Sequence, residues 1–443
     1  MSPRRQHAAA TEPARGDAGT PRHAAALILD AILAGHHPFE QAWTGEATRL
    51  DSLSARDRAF TRLLVTTTLR RLGEIDYVLS GLMQRPLPVK LSLVRQILRL
   101  GVAQLRYLDT PPHAAIDQAV RLARACDRNG MTGLINAVLR KVPTLAPIPP
   151  DQAAVLDTPD WLMRSWRAAH GEHAAQAIAL AHLEEPPLDI SVKSDPQLWA
   201  ETLGGTLLPT GSVRLSRPGD VTALPGFAEG AWWVQDAAAA LPARLLGAPR
   251  GAAVLDLCAA PGGKTAQLAA GGAKVTAVEV EPRRAALLRS NLERLGLAAE
   301  VVVGDAARFK PTRPADFILL DAPCTSTGTL RRHPDIAWLK SDEDVSRTTE
   351  VQDRLLAHAA TLLAPGGRLV YAVCALQPEE GSQRIEALLQ HDRSLARERV
   401  GADEVPGLES AVTPAGDVMT LPSMWPDLGH LDGFFIARLR KRA

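Results

Sequence analysis

Two cysteines in the second half of the sequence each follow an apolar run. Cys324 ends the segment Leu319-Leu-Asp-Ala-Pro-Cys324, and Cys374 ends the segment Leu369-Val-Tyr-Ala-Val-Cys374. Each run predicts a buried strand, and the carboxyl ends of neighbouring parallel strands meet at one edge of a sheet. We therefore expect both thiols, together with Asp321, to face one pocket. A single buried cysteine is commonly a small apolar side chain, but this pair favours a chemical role.

The segment 252–270 predicts a strand, a glycine turn and the start of a helix. Gly262 and Gly263 remove side chains from the turn, so a ligand can approach the backbone N–H groups at the helix start. A phosphate-binding loop needs a glycine six residues before Lys264, where Cys258 stands, and no G-x-G-x-x-G follows the strand. The segment therefore predicts a cradle for a different small molecule. The residues expected to form it are Cys258, Ala259, Ala260, Pro261, Gly262, Gly263 and Lys264.

Two further acidic residues end predicted strands. Glu279 is placed to accept hydrogen bonds from a ribose diol, although Glu281 beside it could serve equally. Asp305 could receive the amino group of an adenine, and its alternative role is that of a turn-forming aspartate. With the glycine turn, these residues indicate a nucleoside-binding site.

Composition limits the class of protein. The chain has 443 residues, of which 46% are hydrophobic and 22% charged, and its net charge is +1. It has no apolar run of about 18 residues, so we expect no membrane span. The four cysteines show no C-x-x-C spacing, which favours reduced thiols in the cytoplasm over disulfides or a metal site.

The pattern of elements predicts several segments. Residues 1–21 contain few large apolar side chains and predict a disordered tail, and residues 22–142 are helical throughout. Residues 143–159 are proline-rich and predict an extended linker, and residues 160–235 predict a small mixed domain. Strands alternate with helices over residues 236–443, which predicts a parallel sheet covered on both faces. The expected strands are Ala253–Leu257, Lys274–Val280, Glu300–Val303, Asp316–Leu320, Arg368–Val373 and Gly433–Arg440.

Basic residues suggest contacts with nucleic acid. From Arg22 to Lys141 there are 17 Lys or Arg against 10 Asp or Glu. Arg95, Arg99 and Arg106 fall on one helical face, which is either simply solvated or contacts phosphates. Similar alternatives apply to the loop residues Arg331, Arg332 and His333, which could hold phosphates near the pocket. Three tryptophans could stack on bases, although tryptophan is more often part of a core: Trp199, Trp232 and Trp233.

Longer stretches resemble known families. The run Asp256-Leu-Cys-Ala-Ala-Pro-Gly-Gly-Lys-Thr265 resembles the AdoMet-binding loop of RNA cytosine-C5 methyltransferases, and the likeness extends from Gln235 to the C-terminus. Residues 160–235 resemble the small RNA-binding extension that precedes the catalytic domain in those enzymes. Three stretches of the helical region resemble the RNA-binding NusB domain: Arg56–Phe60, Val94–Arg106 and Gly133–Lys141. The resemblance implies a helical NusB-like domain followed by a Rossmann-like methyltransferase domain with a mainly parallel, seven-stranded sheet.

The resemblance also implies a reaction. A thiolate that adds to C6 of cytosine pushes electron density onto C5, which can then attack the methyl group of AdoMet. In this family the later cysteine, here Cys374, is the nucleophile, and the Pro-Cys residue, here Cys324, assists product release. Asp321 suits hydrogen bonding to the ring nitrogen N3. The family usually has Thr-Cys-Ser around the nucleophile, whereas this chain has Val373-Cys-Ala375 and lacks both hydroxyls.

The implied substrate is one cytosine of 16S ribosomal RNA, either free or in a small-subunit assembly intermediate, and the implied enzyme is a monomer. Two alternatives remain open. The first is an RNA-binding or antitermination factor whose methyltransferase half is only a scaffold. The second is a tRNA cytosine-C5 methyltransferase with the same fold, which the helical N-terminal domain disfavours.

Overall fold

The computed structural model describes residues 19–216 and 219–443, and the chain divides between Pro149 and Pro150 into two compact units. Most of the predicted tail, residues 1–18, lies outside the described residues. The first helix begins at Pro21, and the side chain of Thr20 accepts a hydrogen bond from the His23 N–H. This is the usual arrangement of an N-cap.

The first unit is helical, as predicted. Its helices are α1 Pro21–Leu33, α2 Phe39–Gly45, α3 Ala47–Asp51, α4 Ala55–Arg70, α5 Leu72–Leu82, α6 Ser92–Tyr107, α7 Pro112–Ala125 and α8 Thr132–Leu139. Helix α6 packs against α1, α4, α5 and α7, because its residues Val94, Ile97 and Leu98 form a fully buried apolar face.

The arginines of α6 bind their own unit. Arg99 is largely buried, and its guanidinium donates to both carboxylate oxygens of Asp76, at 2.8 and 2.5 Å. Arg95 donates to the carbonyl of Leu87 at 2.7 Å, and Arg106 donates to the carbonyl of Ala146 at 2.9 Å. The Arg99 guanidinium is therefore committed to the interior, whereas Arg95 and Arg106 are only partly buried, and a phosphate contact by these two stays a prediction.

The second unit begins inside the segment that the prolines predict to be an extended linker. Helix α9, Pro150–Leu156, starts there because proline is well tolerated in the first turn of a helix. The other helices of this unit are α10 Asp160–His170, α11 Glu172–His182, α12 Pro196–Thr202, α13 Leu241–Leu246, α14 Gly263–Ala270, α15 Pro282–Leu295, α16 Ile336–Leu339, α17 Asp342–Leu362 and α18 Ser382–His391.

A small antiparallel sheet precedes the larger sheet of the second unit. Its strands are β1 Leu188–Val192, β2 Thr206–Leu207, β3 Val213–Leu215 and β4 Trp232–Val234, in the order β2-β3-β1-β4. Trp232 and Trp233 are buried, and their ring N–H groups donate to the Pro225 carbonyl and to Gln235. Trp199 packs against the same core. Base stacking by Trp232 and Trp233 is therefore wrong, because both rings belong to the interior.

The larger sheet confirms the predicted fold class. Its strands are β5 Ala253–Leu257, β6 Lys274–Glu279, β7 Glu300–Val303, β8 Ala315–Asp321, β9 Leu363–Val373, β10 Leu395–Arg397, β11 Val418–Thr420 and β12 Phe434–Lys441. The order is β10-β12-β9-β8-β5-β6-β7, with the short β11 paired to β12 as an addition to the seven expected strands. Strands β5 to β9 run parallel, and β12 is antiparallel to β9 and β10.

Strand order locates the site. The chain passes from β5 to β6 on one side, and β8 pairs with β5 on the other side, so the order reverses at β5. Ligands of open parallel sheets bind beyond the carboxyl ends of the strands at such a reversal. The glycine turn follows β5, and the two predicted catalytic cysteines follow β8 and β9.

Candidate active site

A cavity of about 380 Å³ lies at the carboxyl ends of β5, β6, β8 and β9. It brings together seven of the fifteen predicted site residues, although they are far apart along the chain. The predicted residues that line it are Cys258, Ala260, Glu279, Asp305, Asp321, Cys324 and Cys374. Glu281 is exposed and is not among the lining residues, so Glu279 is the acid of β6 that faces the cavity.

The two thiols are in contact. The Sγ atoms of Cys324 and Cys374 are 3.5 Å apart, within hydrogen-bond distance for sulfur. The hydrogen bond from Cys324 lowers the pKa of Cys374 against the opposing effect of burial, and the Ser326 hydroxyl and Lys264 lower it further. The same thiol–thiol hydrogen bond, with burial, raises the pKa of Cys324 well above its usual range. Of the two thiols, Cys374 therefore ionises more readily than Cys324.

Asp321 is held by a lysine of the glycine loop. The Lys264 Nζ lies 2.8 Å from the Asp321 Oδ2 and 5.1 Å from the centre of the Phe434 ring. Burial alone would lower the pKa of Lys264, but the Asp321 carboxylate raises it above its ordinary value. The lysine therefore stays charged and places a proton donor next to Asp321.

The glycine loop has the backbone that a close-fitting ligand requires. Gly262 has φ 104°, and a Cβ built on it would lie 2.3 Å from the Leu288 Cδ1. Helix α15 holds the loop from outside: Arg284 donates to the Ala260 carbonyl at 2.7 Å, and Asn291 donates to the Pro261 carbonyl at 2.9 Å. The turn is thus rigid and free of side chains at the start of α14.

Cys258 lies in the same loop but differs from the other two thiols of the cavity. Its backbone is left-handed, with φ 64°. Burial, and then the neighbouring Asp321 and Glu279, raise its pKa to about 12. Cys258 is therefore a neutral lining group and not a second nucleophile.

The two acids after β6 and β7 are fixed by backbone groups. Glu279 is 1% exposed and accepts hydrogen bonds from the N–H groups of Ala260, at 3.3 Å, and Glu281, at 3.0 Å. Asp305 accepts from the Ala307 N–H at 2.9 Å. Oriented carboxylates suit the hydroxyl and amino groups of a nucleoside. Together with the side-chain-free turn, these residues fit AdoMet.

The loop 331–333 differs from the expectation. Arg331 is fully buried, and Arg332 forms ion pairs with Asp236, at 2.6 Å, and Asp432, at 3.0 Å. Both guanidinium groups thus serve the interior, so a phosphate-binding role does not fit either of them. Of the three, only His333 is exposed.

Sequence reasoning missed the residues that hold the Pro-Cys segment. Glu380 is fully buried and accepts hydrogen bonds from the Thr325 N–H at 2.9 Å and the Thr348 hydroxyl at 2.7 Å. Gln352 donates to Glu380 at 3.1 Å and to the Pro323 carbonyl at 2.9 Å. The one available signal was an acid six residues after Cys374, because the partners from α17 lie too far away in sequence to show a pattern.

Fold and cavity together define an AdoMet-dependent methyltransferase of the Rossmann-like type. Residues 243–440 match the family described as 16S rRNA methyltransferase RsmB/F, and residues 20–143 match the NusB family. Ribosomal RNA small subunit methyltransferase B from Cronobacter sakazakii is 36% identical over 88% of this chain and 92% of its own length. The protein of that name from Sodalis glossinidius is 37% identical over 88% and 91%. The chain therefore belongs to the ribosomal RNA small subunit methyltransferase B family.

Solved structures agree on the fold. The crystal structure of PH0851 has a TM-score of 0.75 and 23% identity, and the match covers 95% of this chain and 99% of that one. The structure of NSun6 from Pyrococcus horikoshii with SFG has a TM-score of 0.54 and 21% identity over 64% of this chain and 98% of that chain.

Over residues 19–216 and 219–443, no helix is both long and apolar enough to cross a membrane. In the same ranges, no group of three or more His, Cys, Asp or Glu side chains could hold a metal ion.

Proposed function

We propose that this methyltransferase modifies C5 of one cytosine in 16S ribosomal RNA and acts in the cytoplasm, where that RNA is assembled. The observation that carries the proposal is the contact between two thiols with opposite pKa shifts, 3.5 Å apart in the cavity that also holds Asp321. An RNA-binding factor whose methyltransferase domain was only a scaffold would not require two thiols in contact. Cytosine C5 needs activation by a nucleophile before it can be methylated.

The first half of the reaction uses Cys374. Its thiolate adds to C6 of the cytosine, a C–S bond forms, and the electron pair of the C5=C6 bond moves to C5 and onto N3. N3 takes up a proton from the Lys264–Asp321 pair, in which the ammonium lies 2.8 Å from the carboxylate, and the Asp321 carboxylate then accepts a hydrogen bond from the new N3–H. Bound AdoMet supplies the electrophilic methyl group that C5 attacks.

The second half restores the aromatic ring. A base removes the C5 proton, the electron pair reforms the C5=C6 bond, and the C–S bond breaks with the electrons returning to the Cys374 sulfur. Cys324 retains its proton because its pKa is raised, and its Sγ lies 3.5 Å from that sulfur. It can therefore donate a hydrogen bond to the leaving thiolate and assist product release.

Two substitutions test these roles. We expect Cys374→Ser to abolish both methyl transfer and the covalent protein–RNA adduct, because a serine hydroxyl is not ionised at neutral pH. We expect Cys324→Ala to let the adduct accumulate, because thiolate expulsion loses its donor. Transfer of label from AdoMet to 16S rRNA measures turnover, and a denaturing gel measures the adduct. An adduct in Cys374→Ser together with none in Cys324→Ala would reverse the assignments.

The target is found by comparing bisulfite sequences of total RNA from cells with and without this protein. Loss of one C5-methylcytosine in 16S rRNA supports the proposal. Loss in a tRNA would instead support the tRNA enzyme, and no change in any RNA would leave only the RNA-binding scaffold.

The helical unit supports RNA binding through a surface that the sequence does not reveal. A groove of about 800 Å³ runs between α7 and α8, with the exposed residues His113, Arg124 and Arg140 on its walls. Its acid, Asp117, is neutralised by an ion pair with Arg121 at 2.9 Å. A groove with an excess of positive charge suits a phosphodiester backbone, and we propose that it adds affinity for the substrate RNA.

A further inference from the structure

Ser326 lies beside both catalytic thiols although the mechanism above does not use it. It is the second residue after Cys324 and lines the active-site cavity. Its Oγ lies 3.8 Å from the Cys324 Sγ, which itself lies 3.5 Å from the Cys374 Sγ, and the Ser326 hydroxyl is one of the groups that lower the pKa of Cys374. Its backbone is left-handed, with φ 60°, a conformation that a non-glycine residue adopts only where its surroundings fix it.

The residues on either side of Cys374 in sequence have no side-chain hydrogen-bond donor for its sulfur. Val373 and Ala375 are both fully buried and pack into the apolar core under the sheet. A thiolate in such surroundings is costly unless other elements of the fold supply hydrogen bonds. The hydroxyl of Ser326 comes from the loop after β8, on the neighbouring strand.

That loop is tied to the chain around Cys374 by backbone hydrogen bonds. The Gly328 N–H donates to the Cys374 carbonyl at 2.9 Å, and the Leu376 N–H donates to the Thr327 Oγ1 at 3.0 Å. On its other side the loop is held by the hydrogen bond from the Thr325 N–H to Glu380. The Ser326 hydroxyl is therefore fixed relative to the sulfur.

The charged and titratable groups that face Cys374 from other elements do not remove the need for a donor. Lys264 from α14 is paired with Asp321 from β8, so the attraction of one for a thiolate is opposed by the repulsion of the other. Cys324 is a further titratable neighbour, and its thiol lies 3.5 Å from the same sulfur. The Ser326 hydroxyl is a neutral donor that can remain in place throughout.

We propose that Ser326 is a positioning residue that donates a hydrogen bond to the Cys374 thiolate and supplies the donor that Val373 and Ala375 lack. The inference deepens the proposed role of Cys374 as nucleophile and rests on it. The hydroxyl changes no bond; it keeps the sulfur ionised and aimed before it attacks C6.

The test compares two substitutions of Ser326 that differ in their effect on the backbone. Ser326→Gly relieves the left-handed conformation, and Ser326→Ala retains it with a Cβ, but both remove the hydroxyl. Thr361→Ala, at an exposed position near the end of α17, is the control. The full-length protein is alkylated with iodoacetamide from about pH 5 to about pH 10, and the rate is measured for the peptide that contains Cys374. The pH dependence of this rate gives the apparent pKa of this one thiol.

We expect both variants to raise the apparent pKa of Cys374 by about 0.5 to 1, which lowers its alkylation rate at neutral pH about threefold to tenfold. We expect kcat for methyl transfer to fall with it and the KM for RNA to stay unchanged. The control should match the unsubstituted protein in all three measurements.

Unchanged alkylation profiles in both variants would overturn the inference. A shift in Ser326→Ala alone would also overturn it, because the cause would then be backbone strain and not the lost hydroxyl. The alkylation readout needs no RNA, so failure of the proposed methylation would appear separately, as an unsubstituted protein that shows the expected thiol pKa but transfers no methyl group to 16S rRNA.

Discussion

At the residue scale, three cysteines line one cavity, and their surroundings give them different chemistry. Burial raises the pKa of Cys258, and the thiol–thiol hydrogen bond raises that of Cys324. Cys374 is the other partner of that hydrogen bond, and the Cys324 thiol and the Ser326 hydroxyl both lower its pKa. The different acidities of these thiols therefore follow from their burial and from a few hydrogen bonds at the ends of β8 and β9, and not from the amino-acid type.

Gly262 offers a test of the AdoMet cradle. Because its backbone is left-handed and a Cβ built on it would overlap the Leu288 Cδ1, Gly262→Ala strains the turn and forces the buried Leu288 side chain to move. We expect the affinity for AdoMet, measured by calorimetric titration, to fall about tenfold or more.

Gly296 provides the matched control for this substitution. It also has a positive φ, 58°, but a Cβ there meets open space. Gly296→Ala should therefore cost about 1 kcal/mol of stability through backbone strain and leave AdoMet affinity unchanged. Equal affinity losses in the two variants would show that strain alone, and not the closed turn, governs binding.

The predicted residues that line the cavity differ from those that lie elsewhere in whether local sequence pattern determines their position. Cys324 and Cys374 each end an apolar run, so local pattern and sheet topology together bring them to one edge. Arg332, like Cys324, follows β8. Its guanidinium pairs with Asp236 and Asp432, which lie 96 and 100 residues away. Local sequence shows that an arginine is present, but it does not show that two carboxylates from distant segments neutralise it.

At the element scale, the helical unit shows why charge on a helix is a poor guide to its role. The arginines of α6 lie on the face that holds loops and neighbouring helices, whereas the groove between α7 and α8 keeps its arginines exposed. Periodicity separates apolar from polar faces, but it does not say which polar face another element covers.

The groove gives a prediction for RNA binding. We expect Arg124→Glu together with Arg140→Glu to weaken binding of a 16S rRNA fragment about tenfold or more, because phosphate contacts become repulsive. Loss of two contacts should also reduce the dependence of log K on log salt by about 1.4 for single-stranded RNA. Fluorescence anisotropy at a series of salt concentrations measures both quantities.

A double substitution elsewhere on the same unit controls for net charge. Arg56 and Arg85 are exposed and do not line the groove. Replacing both by Glu changes the charge by the same amount, so any effect shared with the groove variant is long-range electrostatics. If the two double variants weaken binding equally, the groove is not the contact surface.

At the scale of the whole molecule, a buried ion pair inside the small sheet is hydrogen-bonded to segments of the methyltransferase fold within the second unit. Arg214 of β3 pairs with Asp189 of β1 at 2.7 Å and donates to the carbonyls of Leu428 and His430. Asp189 in turn accepts from the Ala237 N–H at 3.1 Å. The sequence predicts residues 160–235 as a separate domain. In the structure they belong to one compact unit with the methyltransferase fold.

Arg332 is the connection that can be tested best. Its guanidinium donates to Asp236 and Asp432 and to the Pro187 carbonyl at 3.1 Å, so it links the start of the small sheet to the segment before β12. Arg332→Met leaves two buried carboxylates without their shared cation. We expect the free energy of unfolding to fall by about 3 to 5 kcal/mol, with a lower Tm for this unit by differential scanning calorimetry.

An exposed arginine with the same number of carboxylate partners isolates the effect of burial. Arg347 pairs with Glu343 at 3.1 Å and Asp344 at 3.3 Å, but its side chain is 71% exposed, against 20% for Arg332. Arg347→Met should therefore change stability by less than about 1 kcal/mol, since water solvates the carboxylates it leaves behind. Equal losses in the two variants would mean that pairing alone, and not the cost of leaving charges in the interior, makes Arg332 important for holding the two sheets together.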